Sequence, residues 1–494
     1  MRRSRAMFTV LALPVVALVM AMTGCVDEQI VYRDRELFET PPTGAASFVG
    51  YSNTEDKLTV CGNCHIGQQT KWKETAHAGA WETLQANSHK QAMCEGCHTV
   101  GQLGNLMETA GGWDATKDAR YQDVQCESCH GPGLGHVTNP NKSTVGFVLA
   151  PMGASLTGKT GCTECHQGSH HPYAEEWSAS AHGGGTAVNS AGTRPECQSC
   201  HTAENVLVAW GVNGNYAEKA EFLASNTKNM PITCAVCHDP HASAEEGQLR
   251  FPVDVRNEEE NLCMKCHHKR GTPDVTTFRG PHSPEGPVLL GYGGWWPPNL
   301  EFPGGKIEAT HGSDANPRLC AGCHVNRFEY QDETGTTISG TGHTFEAIPC
   351  VDAGGKPIVN GACTPAERTF KTCTGSGCHG SENVARSAMA TVGLRMEALN
   401  AELDRTLQKI HTNWKTCRTN NSCGAGSPFN TADGKYTTAE GAAFNYDLAL
   451  RQSAAIHNPF LMEALLTASI RQVRTDYNIT AGLTVDLGLQ LKQH

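Results

Sequence analysis

Aromatic residues are scarce in this sequence. They make up 6% of 494 residues, and hydrophobic residues together reach only 39%. A chain of this length ordinarily fills two or three domains with aromatic and aliphatic side chains. The composition therefore excludes a conventional apolar core along the whole chain, and something other than side chains must fill part of the interior. The 52 glycines and 24 prolines also exclude long regular elements before the last quarter.

Long hydrophobic runs are absent beyond the N-terminus. Arg2, Arg3 and Arg5 precede an apolar run at 7–20, which is short for a membrane crossing and typical of an export signal. We therefore predict a signal peptide at 1–24. No second apolar span follows, so a crossing helix is not expected.

The apolar run ends in "MTGC", residues 22–25, which resembles the bacterial lipobox. That resemblance implies that Cys25 is lipidated after cleavage, and small Gly24 suits the processing. A signal peptide with an accidental cysteine is the alternative. The polar segment 25–56 would then be a tether that holds the body to a membrane by lipid alone.

Cysteine and histidine are unusually abundant, with 23 of each. The pattern CxxCH occurs eight times, which random placement of these residues would not produce. The eight copies begin at Cys61, Cys94, Cys126, Cys162, Cys197, Cys234, Cys263 and Cys320.

The spacing of this motif suits covalent haem attachment. Two thiols on one turn can each add to a vinyl group of one haem, and the following histidine ligates the iron. Zinc sites and a disulfide framework are the alternatives, but a histidine after every pair fits neither. The predicted attachment cysteines are Cys61, Cys64, Cys94, Cys97, Cys126, Cys129, Cys162, Cys165, Cys197, Cys200, Cys234, Cys237, Cys263, Cys266, Cys320 and Cys323. The predicted proximal ligands are His65, His98, His130, His166, His201, His238, His267 and His324.

A ninth site is predicted at "CTGSGCH", residues 373–379, which resembles an expanded CxxxxCH attachment segment. Cys373 and Cys378 would bind the haem and His379 its iron, while the glycines let the longer loop bulge. A disulfide between the two cysteines is the alternative. The prediction is thus nine covalently bound haems c.

Four further cysteines remain, and an exported protein favours their pairing. Proximity in sequence is the only ground for choosing partners. It predicts disulfides Cys350–Cys363 and Cys417–Cys423.

An internal repeat indicates which other histidines ligate iron from the distal side. "WKETAHAG" after the first motif corresponds to "WSASAHGG" after the fourth, and "CESCHGPGLGH" corresponds to "CAVCHDPH". These matches predict a duplicated three-haem unit and favour its retained histidines as distal ligands. The retained histidines are His77, His136, His182 and His241.

Four more distal ligands are expected downstream. His282, His311 and His343 lie among glycines and prolines, where a rigid loop would aim an imidazole, although a solvent-exposed loop histidine is the alternative. His457 precedes "NPFLMEALL", which resembles a distal-ligand helix of multihaem cytochromes; the alternative is a capping or surface histidine. The ninth distal ligand is left open among His89, His170, His171, His268 and His411.

The last quarter of the chain has helical periodicity. Apolar residues from Ala385 to Ile410 recur at three- and four-residue steps, which predicts an amphipathic helix. Thr437 with Glu440 predicts a capping box, and Asn458 before Pro459 predicts another helix start. We expect a C-terminal α-helical hairpin.

The expected fold is mainly irregular, with short α-helices wrapped around a chain of covalent haems and little β structure. About 35 residues per haem is too little to wrap each one separately, so the haems should line one another's pockets. The predicted divisions after the tether are three-haem units at 57–150, 151–250 and 251–380, the last with the CxxxxCH site, and a helical region at 381–494.

These motifs resemble those of multihaem c-type cytochrome lipoproteins, a family of outer-membrane and extracellular electron-transfer proteins. The resemblance implies low-potential haems with two histidine ligands, and Val26 after the lipid cysteine implies outer-membrane sorting. It implies an exported lipoprotein that faces the periplasm or the cell surface, and electron transfer in respiration without catalysis.

The partners expected on this basis are other redox proteins, a porin or an extracellular acceptor, and the membrane through the lipid. The net charge of −11 argues against nucleic acid. An oligomer or filament is compatible with a conductor exposed at both ends. The alternative function is an oxidoreductase acting on a small nitrogen or sulfur oxyanion at one open haem. No CxxCK motif marks such a site.

Overall fold

Short helices separated by irregular chain make up most of the structure. The computed structural model describes residues 39–105, 107–140, 161–168, 171–183, 194–212, 230–327, 329–358, 363–375 and 378–491. The chain from Pro41 onward forms one compact unit. The signal peptide, Cys25 and His170 lie outside the described residues, as does the boundary predicted at residue 150.

The α-helices described are brief until the last quarter of the chain. In chain order they are α1 Ile66–Trp72, α2 Ala80–Ala86, α3 Gly112–Thr116, α4 Cys126–His130, α5 Leu134–Thr138, α6 Cys162–Cys165, α7 Tyr173–Ala179, α8 Pro195–His201, α9 Ala203–Ala209, α10 Cys234–Cys237, α11 Glu285–Leu289, α12 Leu319–His324, α13 Lys371–Gly375, α14 Glu382–Ile410, α15 Trp414–Thr419, α16 Thr438–Ala449, α17 Gln452–His457 and α18 Pro459–Asp476. Single 3₁₀ turns occupy Cys61–Asn63, Ala76–Gly79, Ala92–His98, Ala119–Tyr121, Glu246–Gln248, Pro303–Gly305, Thr310–Gly312, Pro365–Glu367 and Thr431–Asp433.

Strands contribute little to the described part of the chain. They form three two-stranded antiparallel ladders, which are β1 Tyr51–Asn53 with β2 Leu58–Thr59, β3 Glu329–Gln331 with β4 Thr337–Ser339, and β5 Cys350–Val351 with β6 Pro357–Ile358. The predicted fold class, irregular chain with short helices and little β structure, is confirmed.

The C-terminal helices begin where the capping signals predicted. Thr437 and Glu440 form a reciprocal capping box at α16, and the Asn458 side chain accepts a hydrogen bond from the Leu461 N–H at the start of α18. Pro459 occupies the first turn of α18, where its missing N–H costs nothing. The predicted helices are therefore confirmed, and α14 packs against both α16 and α18.

An apolar core lies between these three helices. Leu399, Leu403 and Leu407 are spaced four residues apart on α14 and are fully buried, and they join Leu461 and Leu465 of α18 in one cluster. This spacing puts them on a single helix face. Val288 and Ile307, which precede the helical region in sequence, are buried in the same cluster. The helical region is thus anchored to the preceding chain by shared apolar packing.

The clusters in the first half of the chain are much smaller. One of them joins Ala45, Phe48, Val100, Trp113 and Tyr121. Phe48 is fully buried although it lies within the predicted tether 25–56. The tether is therefore shorter than predicted, because the residues from Ala45 onward belong to the folded body.

Both predicted disulfides are present. Cys350 and Cys363 are bridged, and Cys417 is bridged to Cys423. Within the described ranges, no helix is long and apolar enough to cross a membrane.

Candidate haem sites

The nine candidate attachment segments are numbered here as sites 1 to 9 in chain order, and most of them share a local backbone geometry, whereas site 2 lies in the 3₁₀ helix Ala92–His98. At site 1 the His65 N–H donates to the Cys61 carbonyl at 2.9 Å, and at site 4 the His166 N–H donates to Cys162 at 2.8 Å. This bond closes one helical turn, which brings both cysteines and the histidine to one side. The residues from Cys126 to His130 at site 3 form such a turn as α4.

Site 9 keeps this geometry despite its two extra residues. The His379 N–H donates to the Cys373 carbonyl at 3.2 Å, although six residues separate them instead of four. No disulfide joins Cys373 to Cys378. The longer loop therefore leaves the first cysteine and the histidine related as they are in the CxxCH sites.

Cysteines in the structure fall into two groups. None of the eighteen motif cysteines is in a disulfide, whereas the four other described cysteines form the two disulfides. Among the described residues, no three His, Cys, Asp or Glu side chains converge as a metal-ion site would require. The motif residues are thus not arranged as zinc sites, which need four ligands around one point.

Eight of the nine motif histidines lie opposite a second histidine. The pairs, with the distance between ring centroids, are His65 and His136 (6.3 Å), His77 and His166 (6.2 Å), His130 and His241 (6.2 Å), His182 and His267 (6.2 Å), His201 and His282 (6.0 Å), His238 and His343 (6.3 Å), His311 and His379 (6.4 Å), and His324 and His457 (6.2 Å).

These spacings fit an iron atom between the two rings. A metal–imidazole bond of about 2.0 Å on each side puts the two nitrogens about 4 Å apart and the ring centroids about 6 Å apart. Direct stacking or a hydrogen bond between two rings would not give the same separation in eight different pairs. The residues present therefore fit haem irons with two axial histidines.

In each pair the histidine outside the motif is one of the eight that the sequence favours as distal ligands. Site 2 differs, because no second histidine ring is paired with His98 in the described part of the chain.

Four of the five candidates for the ninth distal ligand are described, and each is either exposed or in contact with a residue other than His98. His171 lies 6.0 Å from the His166 ring, and His89 is exposed. The Nδ1 atom of His268 is hydrogen-bonded to the Met264 carbonyl, and the ring of His411 lies beside the sulfur of Cys417.

Backbone carbonyls orient several of the motif rings. The Nδ1 atom lies 2.7 Å from the Ala80 carbonyl in His98, 2.6 Å from Gly247 in His238, and 2.8 Å from Phe345 in His324. A proton on Nδ1 satisfies each carbonyl and leaves Nε2 as the free donor for iron. The chain thereby fixes both the tautomer and the direction of the ring.

Burial keeps many of these imidazoles neutral. It lowers the pKa of His182 and His343 to about 4, and that of His457 also to about 4. Nearby histidines contribute in the same direction, since two positive rings would repel each other. A neutral imidazole is the form that binds iron, so the surroundings favour ligation at physiological pH.

The two repeats make the same structural contact. The Trp72 indole N–H donates to the Val124 carbonyl at 2.9 Å, and the Trp177 indole N–H donates to Ile232 at 2.8 Å. Val124 and Ile232 each stand two residues before an attachment cysteine, at sites 3 and 6. Each tryptophan therefore ties the segment after one site to the segment before another.

Two buried carboxylates position these sites, and sequence reasoning missed both. Glu127, inside site 3, accepts hydrogen bonds from the N–H groups of Val49, Gly50 and Gly133. Glu176 accepts from the N–H groups of Thr341 and His343. Their only signal in the sequence is an acidic residue beside an otherwise apolar or motif position, which is too common to be specific.

Comparison with known proteins agrees with this geometry. Residues 60–131 match the family model of cytochrome c554 and c-prime, and residues 228–272 match that of a doubled CXXCH motif. Over 126 residues the chain is 29% identical to the multiheme cytochrome MtrA of Shewanella baltica strain OS185. That alignment covers 23% of this chain and 33% of MtrA.

A solved structure resembles most of the chain. The undecaheme cytochrome from the S-layer of Carboxydothermus ferrireducens superposes with a TM-score of 0.50 at 17% identity, covering 88% of this chain and 70% of that one. At this identity the likeness concerns the fold alone. The repeated attachment segments, the two family matches and the similarity to MtrA support a multihaem c-type cytochrome.

Proposed function

We propose that this chain binds nine haems c and conducts electrons along them, as part of respiratory electron transfer outside the cytoplasm. The observation that carries the proposal is the set of eight histidine pairs at 6.0 to 6.4 Å between ring centroids. Two imidazoles on an iron leave it no open position, which suits electron transfer rather than catalysis. Haem supplies the redox chemistry, and the protein sets the order and surroundings of the irons.

The residues of the chain have three roles in this function. The eighteen motif cysteines hold the haem edges, and the paired histidines hold the irons. Carbonyls such as that of Phe345 fix ring orientation, and buried carboxylates such as Glu176 hold the loops that carry distal ligands. Rigid ligation of this kind lets an electron arrive and leave with little rearrangement.

The haem count and the ligand set are tested together. Denatured protein, matured in a host that attaches haem c, should carry nine haems by intact mass and by the pyridine haemochrome assay. A count of eight would mean that one of the nine sites does not carry haem. Replacing Cys378 with Ser, compared with Cys423→Ser as a control outside the sites, should lower the count by one only in the first case.

We also propose that Cys25 carries a lipid and anchors the protein to the outer membrane. The basic N-terminal residues, the apolar run and the lipobox-like "MTGC" support this location. Other redox proteins, a porin or an extracellular acceptor are the partners that a membrane-bound conductor would serve. Cys25→Ser should release the cytochrome from membranes, and retention of this variant would refute the anchor.

A second candidate function is reduction or oxidation of a small nitrogen or sulfur oxyanion at site 2. Its support is His98, which has no histidine partner among the described residues. Electron paramagnetic resonance of the oxidised protein distinguishes the two candidates. Nine low-spin signals would exclude catalysis at an open iron, whereas a high-spin signal that shifts with nitrite or cyanide and disappears in His98→Met would favour it.

A further inference from the structure

A carboxylate lies beside the proximal ligand of site 7. Glu285 is the first residue of α11, and its Oε2 atom lies 3.5 Å from the Nδ1 atom of His267. This oxygen is buried and accepts no hydrogen bond within the described part of the chain. Because iron binds a proximal imidazole through Nε2, Nδ1 remains on the far side of the ring. The charge of Glu285 is therefore directed at the side of His267 that faces away from the iron.

The backbone and the packing of α11 hold Glu285 in this place. The Gly286 N–H, one residue further on, donates to the His267 carbonyl at 2.8 Å. A Cβ atom at Gly286 would lie 3.0 Å from that carbonyl oxygen, so the absence of a side chain allows the close approach. Met264, inside site 7, is buried with Leu289 of α11 in one apolar cluster. The contact between Glu285 and His267 therefore follows from the fold of this segment.

The proximal ligands of the two neighbouring sites in sequence have neutral partners instead. At site 6 the Nδ1 atom of His238 lies 2.6 Å from the Gly247 carbonyl. At site 8 the Nδ1 atom of His324 lies 2.8 Å from the Phe345 carbonyl. A carbonyl orients the ring but carries no net charge. Site 7 therefore differs from sites 6 and 8 in the charge of the group beside its proximal ring.

Another carboxylate that lies near an axial ring is offset by a cation. The Oδ1 atom of Asp239 is 3.7 Å from the Nδ1 atom of His241, the predicted distal ligand of site 3. Its Oδ2 atom is 3.4 Å from Arg250. Among the described residues, no lysine or arginine forms an ion pair with Glu285. With 27% of its side chain exposed, Glu285 stays ionised at neutral pH, and water screens its charge only in part.

A negative charge beside an axial imidazole favours the oxidised state of the iron. Ferric iron carries one more positive charge than ferrous iron, so a nearby carboxylate stabilises the ferric form more. The same carboxylate attracts the Nδ1 proton, which makes the ring a stronger electron donor to the metal. Both effects lower the reduction potential of the haem, and the surroundings of the axial ligand are one of the means by which a protein sets that potential.

We propose that Glu285 is a positioning residue that acts through His267, and that its carboxylate lowers the reduction potential of the haem at site 7. This inference rests on the proposed function and adds to it a difference between successive sites. In an array that conducts electrons, a site of lowered potential passes its electron on readily to a neighbouring haem instead of retaining it.

Redox titration of the haem-loaded protein, followed by its visible absorption, tests the proposal. Glu285→Gln keeps the size of the side chain and removes its charge. One component of the titration should rise, with at least a tenfold change in its reduction equilibrium constant, which corresponds to about 59 mV for a one-electron couple. Glu259→Gln is the matched control, because it removes the same charge from an exposed position four residues before Cys263 of site 7. No component should move by this amount in the control.

A shorter carboxylate separates charge from packing. Glu285→Asp keeps the charge but moves it away from His267 by one methylene group, so the same component should rise by less than in Glu285→Gln. Equal shifts in the two variants would assign the effect to packing and would refute the role of the charge. Glu285→Asp also provides the test if the Gln variant does not fold, since an unchanged titration of the Asp variant would contradict the proposal.

A variant at the opposite axial position identifies the haem that responds. His182→Met replaces the histidine that faces His267, and methionine ligation raises a haem potential. Adding Glu285→Gln to this variant should raise the same component further. A shift in a different component, or no shift in Glu285→Gln protein that carries all its haems, would overturn the proposal. Protein without haem would instead refute the proposed function, and its intact mass would show this before any titration.

Discussion

The haem-attachment region, 57–380, and the helical region after it hold themselves together by different means. The helical region shares one large apolar cluster, which includes Leu399, Leu403, Leu461 and Leu465. The attachment region has several small clusters, such as the one formed by Met264, Leu289, Leu290 and Leu319. Burial of apolar area is the main favourable term in folding, so the attachment region needs another source of buried surface. We propose that haem faces supply it.

The difference in packing is matched by a difference in hydrogen bonding. In the helical region most backbone groups are satisfied within α14, α16 and α18. In the attachment region, side chains distant in sequence satisfy many backbone groups. The Glu127 carboxylate, for example, accepts hydrogen bonds from the N–H groups of residues 49, 50 and 133. A short-helix fold therefore depends on a few buried polar groups as well as on its cofactors.

The largest expected effect comes from withholding haem. In protein produced without haem attachment, backbone amides between sites 1 and 9 should exchange hydrogen at rates close to those of an unfolded chain, because their interior is missing. Amides of α14, α16 and α18 should remain at least tenfold slower. Hydrogen exchange followed by mass spectrometry measures both regions in one sample, with the haem-loaded protein as the reference. Equal exchange in the two regions would mean that the helices also depend on haem.

Within the helical region the largest single effect is expected at a buried ion pair. Arg395 and Glu463 approach to 2.7 Å with 8% and 1% of their side chains exposed. Arg395→Met would leave the carboxylate buried without its partner and should lower the free energy of unfolding by about 3–5 kcal/mol. Arg395 also donates to the Asp486 and Gly488 carbonyls, so the tail after α18 should become sensitive to protease.

The half-exposed pair of Lys415 and Asp404 provides the control, with 45% and 21% of the side chains exposed. Lys415→Ala should change the free energy of unfolding by less than about 1 kcal/mol, because water screens that pair. Guanidinium titration of the haem-loaded variants measures both values, and similar losses in the two would contradict the importance of burial.

In the attachment region a pH dependence is expected from Glu127. Burial raises its pKa from 4.5 to about 7, outweighing the three N–H donors. The native state therefore binds more protons than the unfolded state in this interval. Stability should be greatest below pH 4.5 and fall by about 3 kcal/mol as the pH rises to about 7.

Glu127→Gln should remove that part of the slope, because the amide does not titrate. The exposed carboxyl of Glu55 provides the matched control, and Glu55→Gln should keep the slope. Guanidinium midpoints measured from pH 4 to 8 check both variants. A slope that survives in Glu127→Gln would assign the pH dependence to other groups.

The smallest effect should be the most informative about the repeat. Trp72→Phe and Trp177→Phe each remove one indole N–H from a backbone carbonyl. Each should cost about 1–2 kcal/mol, since a buried carbonyl loses its donor. Equal losses in thermal unfolding would agree with equivalent roles in the two repeats. A loss in only one variant would separate them.

Local chemistry made the attachment segments and the helix starts predictable from sequence. A motif such as CxxCH and a capping box such as Thr437 with Glu440 are complete within a few residues. The distal histidines were accessible through the repeat and through their glycine- and proline-rich neighbours. Both disulfides followed from short separations. The attachment segments, the helix caps and the disulfides share one property, that their partners are close in sequence.

Long-range arrangement was not predictable in the same way. Nothing local indicates that His77 lies opposite His166, or that Val288 and Ile307 contribute to the core of the helical region. The burial of Phe48, within the predicted tether, was also not foreseen, because a short apolar stretch among small residues has no helical or strand period that marks it as core. Such contacts depend on the folded path of the chain, which a single sequence does not reveal.

The direction of pairing has a consequence for biogenesis. His77 precedes the motif histidine that it faces, His166, whereas His457 follows its partner His324 by most of the helical region. In a chain exported from its N-terminus, His77 emerges before site 4, whereas His457 emerges long after site 8. The side chain of Asn458, the next residue, donates hydrogen bonds to the Val288 and Ile307 carbonyls and so fixes the position of His457. If His457 is the distal ligand of site 8, synthesis interrupted before α17 would leave that site without its second histidine.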